Sequence, residues 1–271
     1  MTDSDANKVF NEYHRKLFEI SESHINRHTI ALMSARNGII RPLGSGVFFH
    51  DQGLYFIFTA AHVVKDYPEL LVQGPAGVIY LSVPDAYIYY HPDNKLDVAF
   101  ILLSNNLGAF LSLQYNPVGK DGFLLNHQPV RVNRYALVGF PGARVRHKGN
   151  RLKLACNTYL LQSSPDRVYN YYDRPKSDYY LLNMHGKTLN NHGNPYKAKS
   201  PRGMSGCGLW LISYEIIEEQ MKLSYLLIGI FTEKINGKYL TLSATNISHV
   251  FKGIEECSRR AFQVRFGQAN S

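Results

Sequence analysis

Long apolar runs are missing from this chain, and cysteine and tryptophan are scarce. No window approaches the roughly twenty consecutive apolar residues that a membrane-spanning helix needs, so no membrane association is expected. The three cysteines, Cys156, Cys207 and Cys257, are odd in number and unrelated in spacing. They form neither a zinc ribbon nor a redox CxxC, and they fit a reducing, cytoplasmic setting better than a disulfide framework. His-Glu-x-x-His is absent, as is any other run of clustered ligands, so neither a metal nor a cofactor is expected. The start, Met1-Thr2-Asp3-Ser4-Asp5, lacks the basic patch and apolar stretch of a secretory signal. Acidic residues are the minority charge, 21 against 30 Lys and Arg, giving a formal +9. The basic residues are scattered; the densest group, Arg144, Arg146, Lys148, Arg151 and Lys153, reads as a hairpin, which speaks against a nucleic-acid partner.

What is present describes a folded protein: 271 residues, 45% of them apolar, with no low-complexity run. From Asn7 to about Ile25, Val9, Phe10, Tyr13, Leu17, Phe18 and Ile20 recur at helical spacing, predicting an amphipathic N-terminal helix. Beyond His28 the texture turns to short β-branched and aromatic runs: 29–33, 39–40, 46–49, 55–58, 70–72, 78–83, 87–90 and 98–103. Asn37-Gly38 and Asp51-Gln52-Gly53 read as their hairpin turns. The stretch 105–128, with Gly108, Pro117, Gly119 and Gly122, reads as a linker of little regular structure. Strands resume at 130–132, 135–140 and 152–161. Residues 162–200 are polar and tyrosine-rich, a surface loop or a recognition surface, with a strand only at 179–184. Further strands follow at 209–212, 223–232 and 239–242, and Asn246 to Cys257 reads as a closing helix with Asn246 or Thr245 as its cap. The expected division is a helical extension 1–27, a β-barrel 28–115, a linker 116–128, a second β-barrel 129–258 and a tail 259–271.

Three polar residues break this apolar texture. Ser205 sits in Pro201-Arg202-Gly203-Met204-Ser205-Gly206-Cys207-Gly208, where glycines free the backbone to turn and to aim N–H groups at a ligand. A serine hydroxyl is a poor nucleophile alone and needs a histidine base and a carboxylate to orient that base. His62 ends the apolar run Phe56-Ile57-Phe58-Thr59-Ala60-Ala61-His62, and Asp97 opens Leu96-Asp97-Val98-Ala99-Phe100. An apolar setting tolerates such groups only with partners.

Thr59-Ala60-Ala61-His62, Leu96-Asp97-Val98-Ala99 and Gly203-Met204-Ser205-Gly206 resemble the three signature motifs of the trypsin-like, chymotrypsin-fold serine peptidases, in the same order. The resemblance covers about residues 28 to 255. Leu137-Val138-Gly139-Phe140-Pro141 is similar to the bacterial HtrA-like branch, here without a PDZ domain after the closing helix, and Gly229-Ile230-Phe231-Thr232 resembles its cleft strand. The resemblance implies an all-β fold of two six-stranded antiparallel barrels with terminal helices. It further implies a serine endopeptidase acting on protein or peptide substrates through an acyl-enzyme. Ser205 would be the nucleophile, His62 the base and Asp97 its orienter, with the amides of Gly203 and Ser205 as oxyanion hole. Met204 stands where secreted relatives carry the aspartate of zymogen activation, so that switch should be absent, and regulation would fall to the N-terminal helix or a protein partner. Counting back from Ser205, Lys199 falls near the base of the primary pocket, where it reads either as a solvated loop lysine or as a sign of an acidic or polar preference. Thr232, Glu233 and Tyr239 would line the pocket.

Two other classes compete with this reading. An α/β-hydrolase needs Gly-x-Ser-x-Gly and a later acid, but residue 207 is cysteine and no aspartate follows Ser205. A catalytically silent peptidase-fold module, binding peptide or nucleic acid through the tyrosine-rich loop, is the rival from a different functional class.

Overall fold

The computed structural model describes residues 12–267 except 13–14, 22, 37–38, 66–68, 83, 132, 143–145, 149–150, 154, 185–186, 190–194, 198–199 and 218–219. The chain enters through a helix, α1 (residues 15–21), whose Leu17 and Phe18 are buried, and a single 3-10 turn at Ile25–His28. The amphipathic reading holds for this described part.

The first half is one seven-stranded antiparallel sheet: β1 (Thr29–Arg36), β2 (Ile39–Asp51), β3 (Leu54–Ala60), β4 (Leu70–Gly74), β5 (Gly77–Tyr80), β6 (Ala86–Tyr90) and β7 (Val98–Leu103). Its order is β5-β4-β1-β2-β3-β7-β6, so β3 and β7 are neighbours inside the sheet, and Ala60 pairs with Val98. That register sets the end of β3 beside the start of β7, the two places where His62 and Asp97 stand. The β2–β3 turn bears out Asp51-Gln52-Gly53: Gln52 and Gly53 both take positive φ, 49° and 79°, as a type I′ hairpin demands. Asn37-Gly38 lies outside the described residues.

The stretch 105–128 is more ordered than expected. After a one-turn helix α2 (Ala61–Val64), a second short helix α3 (Asn105–Leu111) follows β7, with the Ser104 side chain accepting from the Leu107 amide as N-cap. The chain then crosses to the second half through single bridges, Phe49 to Val118 and Phe123 to Leu227.

The second half is a closed six-stranded barrel in the order β11-β12-β17-β16-β15-β8. Its members are β8 (Arg134–Gly139), β11 (Asn157–Ser163), β12 (Tyr179–Asn183), β15 (Gly208–Ile217), β16 (Gln220–Ile235) and β17 (Thr241–Asn246). Two small hairpins stand apart from it, β9 (Arg146–Lys148) with β10 (Arg151–Lys153) and β13 (Lys187–Leu189) with β14 (Pro195–Lys197). The first bears out the basic hairpin. The expected strand at 130–132 is not formed at Val130 or Arg131.

Nor is 162–200 merely a loop. It holds the helix α4 (Asp166–Tyr172) as well as β12, and Tyr169, Tyr179 and Tyr180 are buried. The closing helix α5 (Ser248–Gly267) runs past Cys257 through much of the expected tail, and Asn246 Oδ1 accepts from the Ser248 amide at its start. Phe251 of α5 meets Phe49 and Phe58 edge-on, so this helix is anchored on the first sheet.

Candidate active site

His62 lies in α2, two residues beyond the end of β3. A four-residue helix cannot satisfy its own first amides. The Asp97 turn does so instead: the Ala61 amide donates to the Asp97 carbonyl at 3.0 Å, and the His62 amide to Asp97 Oδ1 at 3.0 Å. Asp97 takes φ 50°, a left-handed conformation that aspartate tolerates better than most residues. Its second oxygen lies 2.6 Å from His62 Nδ1. An ionised carboxylate only accepts, so Nδ1 carries the proton and Nε2 keeps its lone pair. That hydrogen bond holds the imidazole above its ordinary pKa against the opposing effect of burial, and the charges of Asp97 and Glu233 add to it.

The Asp97 turn is held from the second half. Thr245 Oγ1 donates to the Leu96 carbonyl at 2.6 Å, and Tyr179 OH to the Lys95 carbonyl at 2.9 Å.

Ser205 sits on the turn before β15. Within that turn the amides of Met204, Gly206 and Cys207 are spent on the carbonyls of Pro201, Phe231 and Met204. The amides of Gly203 and Ser205 have no acceptor among the described residues. Two such N–H groups at one edge of a cleft suit a developing oxyanion. Gly203 is required sterically: its φ is 88°, and a Cβ there would come 2.4 Å from the Gly142 nitrogen. Gly206, φ 87°, would press a Cβ to 2.1 Å from the Ser45 carbonyl oxygen. Met204 and Cys207 are fully buried beside the turn, and burial pushes the Cys207 thiol well up, so it packs as a small apolar group.

His62, Asp97, Gly203 and Ser205 line one cleft of about 670 Å³, with Thr232 and Glu233 on the same wall. Ser205 Oγ makes no hydrogen bond among the described residues, the imidazole of His62 included; the two residues share only the lining of this cleft. Tyr239 requires a correction. It does not line this cleft but packs with the small apolar cluster of Val168, Tyr169 and Leu181, and its backbone N–H and carbonyl both bond Tyr172 OH. The β16–β17 turn is therefore tied to α4, which draws Tyr239 away. Lys199 lies outside the described residues.

Sequence reasoning missed Lys95, Arg174, Arg202 and Lys234, all of which line the cleft. Arg174, just beyond α4, bonds Glu233 at 2.8 Å and lies over the Tyr179 ring at 4.4 Å. No local signal ties residue 174 to residue 233; only the barrel brings them together.

No protein-family model matches the chain, and no curated protein matches it. Solved structures do. Neuropsin, a serine protease expressed in the limbic system of mouse brain, superposes with a TM-score of 0.52 at 15% identity, over 87% of this chain and 96% of that one. A serine endoprotease from Yersinia pestis gives 0.51 at 16% identity, over 89% of this chain and 66% of that one. With one closed barrel, one open β-sheet half and a cleft lined from both, the chain has the chymotrypsin-like double β-barrel fold.

Proposed function

We propose that the protein is a serine endopeptidase that hydrolyses peptide bonds in protein substrates through His62, Asp97 and Ser205. The observation that carries this is the 2.6 Å contact of His62 Nδ1 with Asp97, on a cleft also lined by Gly203 and Ser205, whose amides have no acceptor among the described residues. Ser205 Oγ attacks the scissile carbonyl carbon as His62 Nε2 takes its proton, and the oxyanion forms against the two amides. The tetrahedral intermediate then collapses, the C–N bond breaks, and His62 returns the proton to the leaving amine. Water, deprotonated by the same imidazole, releases the acyl group and regenerates the serine. Asp97 stays ionised throughout and stabilises the imidazolium.

Apart from the hydrolytic water, each step uses side chains and amides of this chain. Cys156, Cys207 and Cys257 form no disulfide with one another, which fits a reducing compartment. The buried Met204 supplies no carboxylate for zymogen-type activation.

A fluorophosphonate probe tests the reading. It should label wild-type protein at Ser205, and Ser205→Ala should lose both labelling and peptide cleavage while keeping its circular dichroism. Failure of the folded wild type to react would leave a silent binding module in place of an enzyme.

A further inference from the structure

The cleft beside Ser205 carries four cations, Lys95, Arg174, Arg202 and Lys234, and two carboxylates, Asp97 and Glu233. Both carboxylates are already committed, Asp97 to His62 and Glu233 to Arg174. Among the described residues, Lys95, Arg202 and Lys234 have no carboxylate within ion-pair distance. They come from both halves of the fold. Lys95 stands two residues before Asp97, Arg202 directly before the oxyanion glycine, and Lys234 on the β16 wall beyond Glu233.

Like charges gathered around a concave, partly desolvated space raise its potential, and that cost is relieved when an anion enters. A neutral or basic side chain in the same space would leave three cations unneutralised, or add a fourth to them. Arg174 cannot relax the imbalance, because it is pinned by Glu233 and stacked on Tyr179. The amides of Asn94 and Asn236 on the same lining can donate further hydrogen bonds to a carboxylate.

We infer that this cleft selects acidic polypeptide: substrates carry aspartate or glutamate next to the scissile bond, recognised by Lys95, Arg202 and Lys234. This rests on the peptidase reading for the word substrate, and on the cleft's charge alone for the preference. Exposed cations act through a screened field, so their combined effect on kcat/KM is about tenfold between a charged side chain and its neutral amide isostere.

The test uses pairs of internally quenched peptides identical except for Asp against Asn, or Glu against Gln, flanking the cleaved bond. With the full chain at low salt, the acidic member should be cut about tenfold faster in kcat/KM. That ratio should fall towards one in about 0.5 M salt. It should also fall in the triple variant Lys95→Gln, Arg202→Gln, Lys234→Gln, where the ratio within one preparation is independent of how much protein is folded. A ratio of one or below in the wild type overturns the inference, and so does an acid preference that neither salt nor the variant reduces. If no peptide is cut and the fluorophosphonate does not react, the enzyme reading fails separately. The same pairs, carrying a fluorophore, then report by anisotropy: tighter binding of the acidic member, lost in the triple variant, upholds the acid-selecting cleft, and equal binding overturns it. Capture of a single-stranded oligonucleotide more tightly than the acidic peptide overturns it as well.

Discussion

The amide of Ser45, on β2, donates to the carbonyl of Ser205 across 2.8 Å, so the turn bearing Ser205 is fastened to the opposite half of the fold. Ser45 makes two further bonds at the seam. Its carbonyl accepts from Thr59 Oγ1 at 2.8 Å, and its hydroxyl oxygen accepts from the Phe140 amide at 2.9 Å. One residue thus links β3, the end of β8 and the Ser205 turn. The seam is thus held by backbone groups and two short hydroxyls, with no long side chain whose rotamers would have to be frozen.

That seam leaves no room at Gly44. A Cβ there would lie 2.6 Å from the Ser205 carbonyl oxygen and 2.7 Å from a methyl of Val63, the residue after His62. Gly44→Ala should therefore displace the Ser205 turn, the segment carrying Val63 and His62, or both. We expect kcat to fall by about 10²-fold, the usual cost of a misplacement near 1 Å. Stability should drop by about 1–3 kcal/mol from overpacking. Initial rates normalised to folded protein, with urea denaturation alongside, check both; unchanged kcat would show that the seam does not set the geometry.

Asp97→Asn keeps the shape of the turn but replaces a pure acceptor with a group that has its own N–H. The imidazole can then present Nδ1 unprotonated, which places the remaining proton on Nε2, where it blocks base catalysis. The expected loss in kcat is about 10⁴-fold. Steady-state kinetics with matched circular dichroism decide it, and a loss below about tenfold would remove Asp97 from its proposed role.

The parts of this molecule that were legible in the sequence are those where one residue contradicts its neighbours. His62 follows one apolar strand and Asp97 precedes another, and Gly203 and Gly206 flank a serine; each is a local anomaly, and His62, Asp97, Gly203 and Ser205 sit at the cleft. The β-strands were legible because β-branched and aromatic residues crowd them. The helix α3 was not, since Gly108 lowers its propensity. That glycine answers a tertiary need, as a Cβ there would strike the Tyr55 ring at 2.2 Å. Ser104 and Pro165, which precede α3 and α4, were the available start signals. Tyr239 was assigned to the cleft by nearness in sequence to Glu233, whereas Tyr172 holds it elsewhere. The cationic lining was invisible because charge carries no periodicity; Lys95 and Arg174 come together only through closure of the fold.

The raised pKa of His62 fixes the sign of the pH response. Asp97 favours the protonated imidazole, whereas base catalysis needs the neutral one. kcat/KM should therefore rise with pH along a limb lying above the ordinary imidazole value of about 6.5. Glu233 also favours the protonated form, so Glu233→Gln should move the limb to lower pH, and the released Arg174 charge pushes the same way. Profiles of kcat/KM between about pH 5 and 9 for both proteins decide this. A wild-type limb at or below the ordinary value, or an upward move in the variant, would contradict it.

Thr245 offers a test of how the second half governs the first. It is fully buried on β17, and its hydroxyl reaches across to the carbonyl of Leu96, itself nearly buried and next to Asp97. Thr245→Val keeps the shape and deletes the donor, leaving that carbonyl without a partner. An unsatisfied buried acceptor costs about 1–3 kcal/mol, which chemical denaturation would measure. Freed on this side, the Asp97 turn should orient His62 less well, so kcat falls while KM for a good peptide stays within about twofold. Thr245→Ser retains the hydroxyl and should recover kcat, which separates the hydrogen bond from the methyl packing. Equal kcat in the Val and wild-type proteins would mean that the Asp97–His62 contact is set wholly within the first sheet.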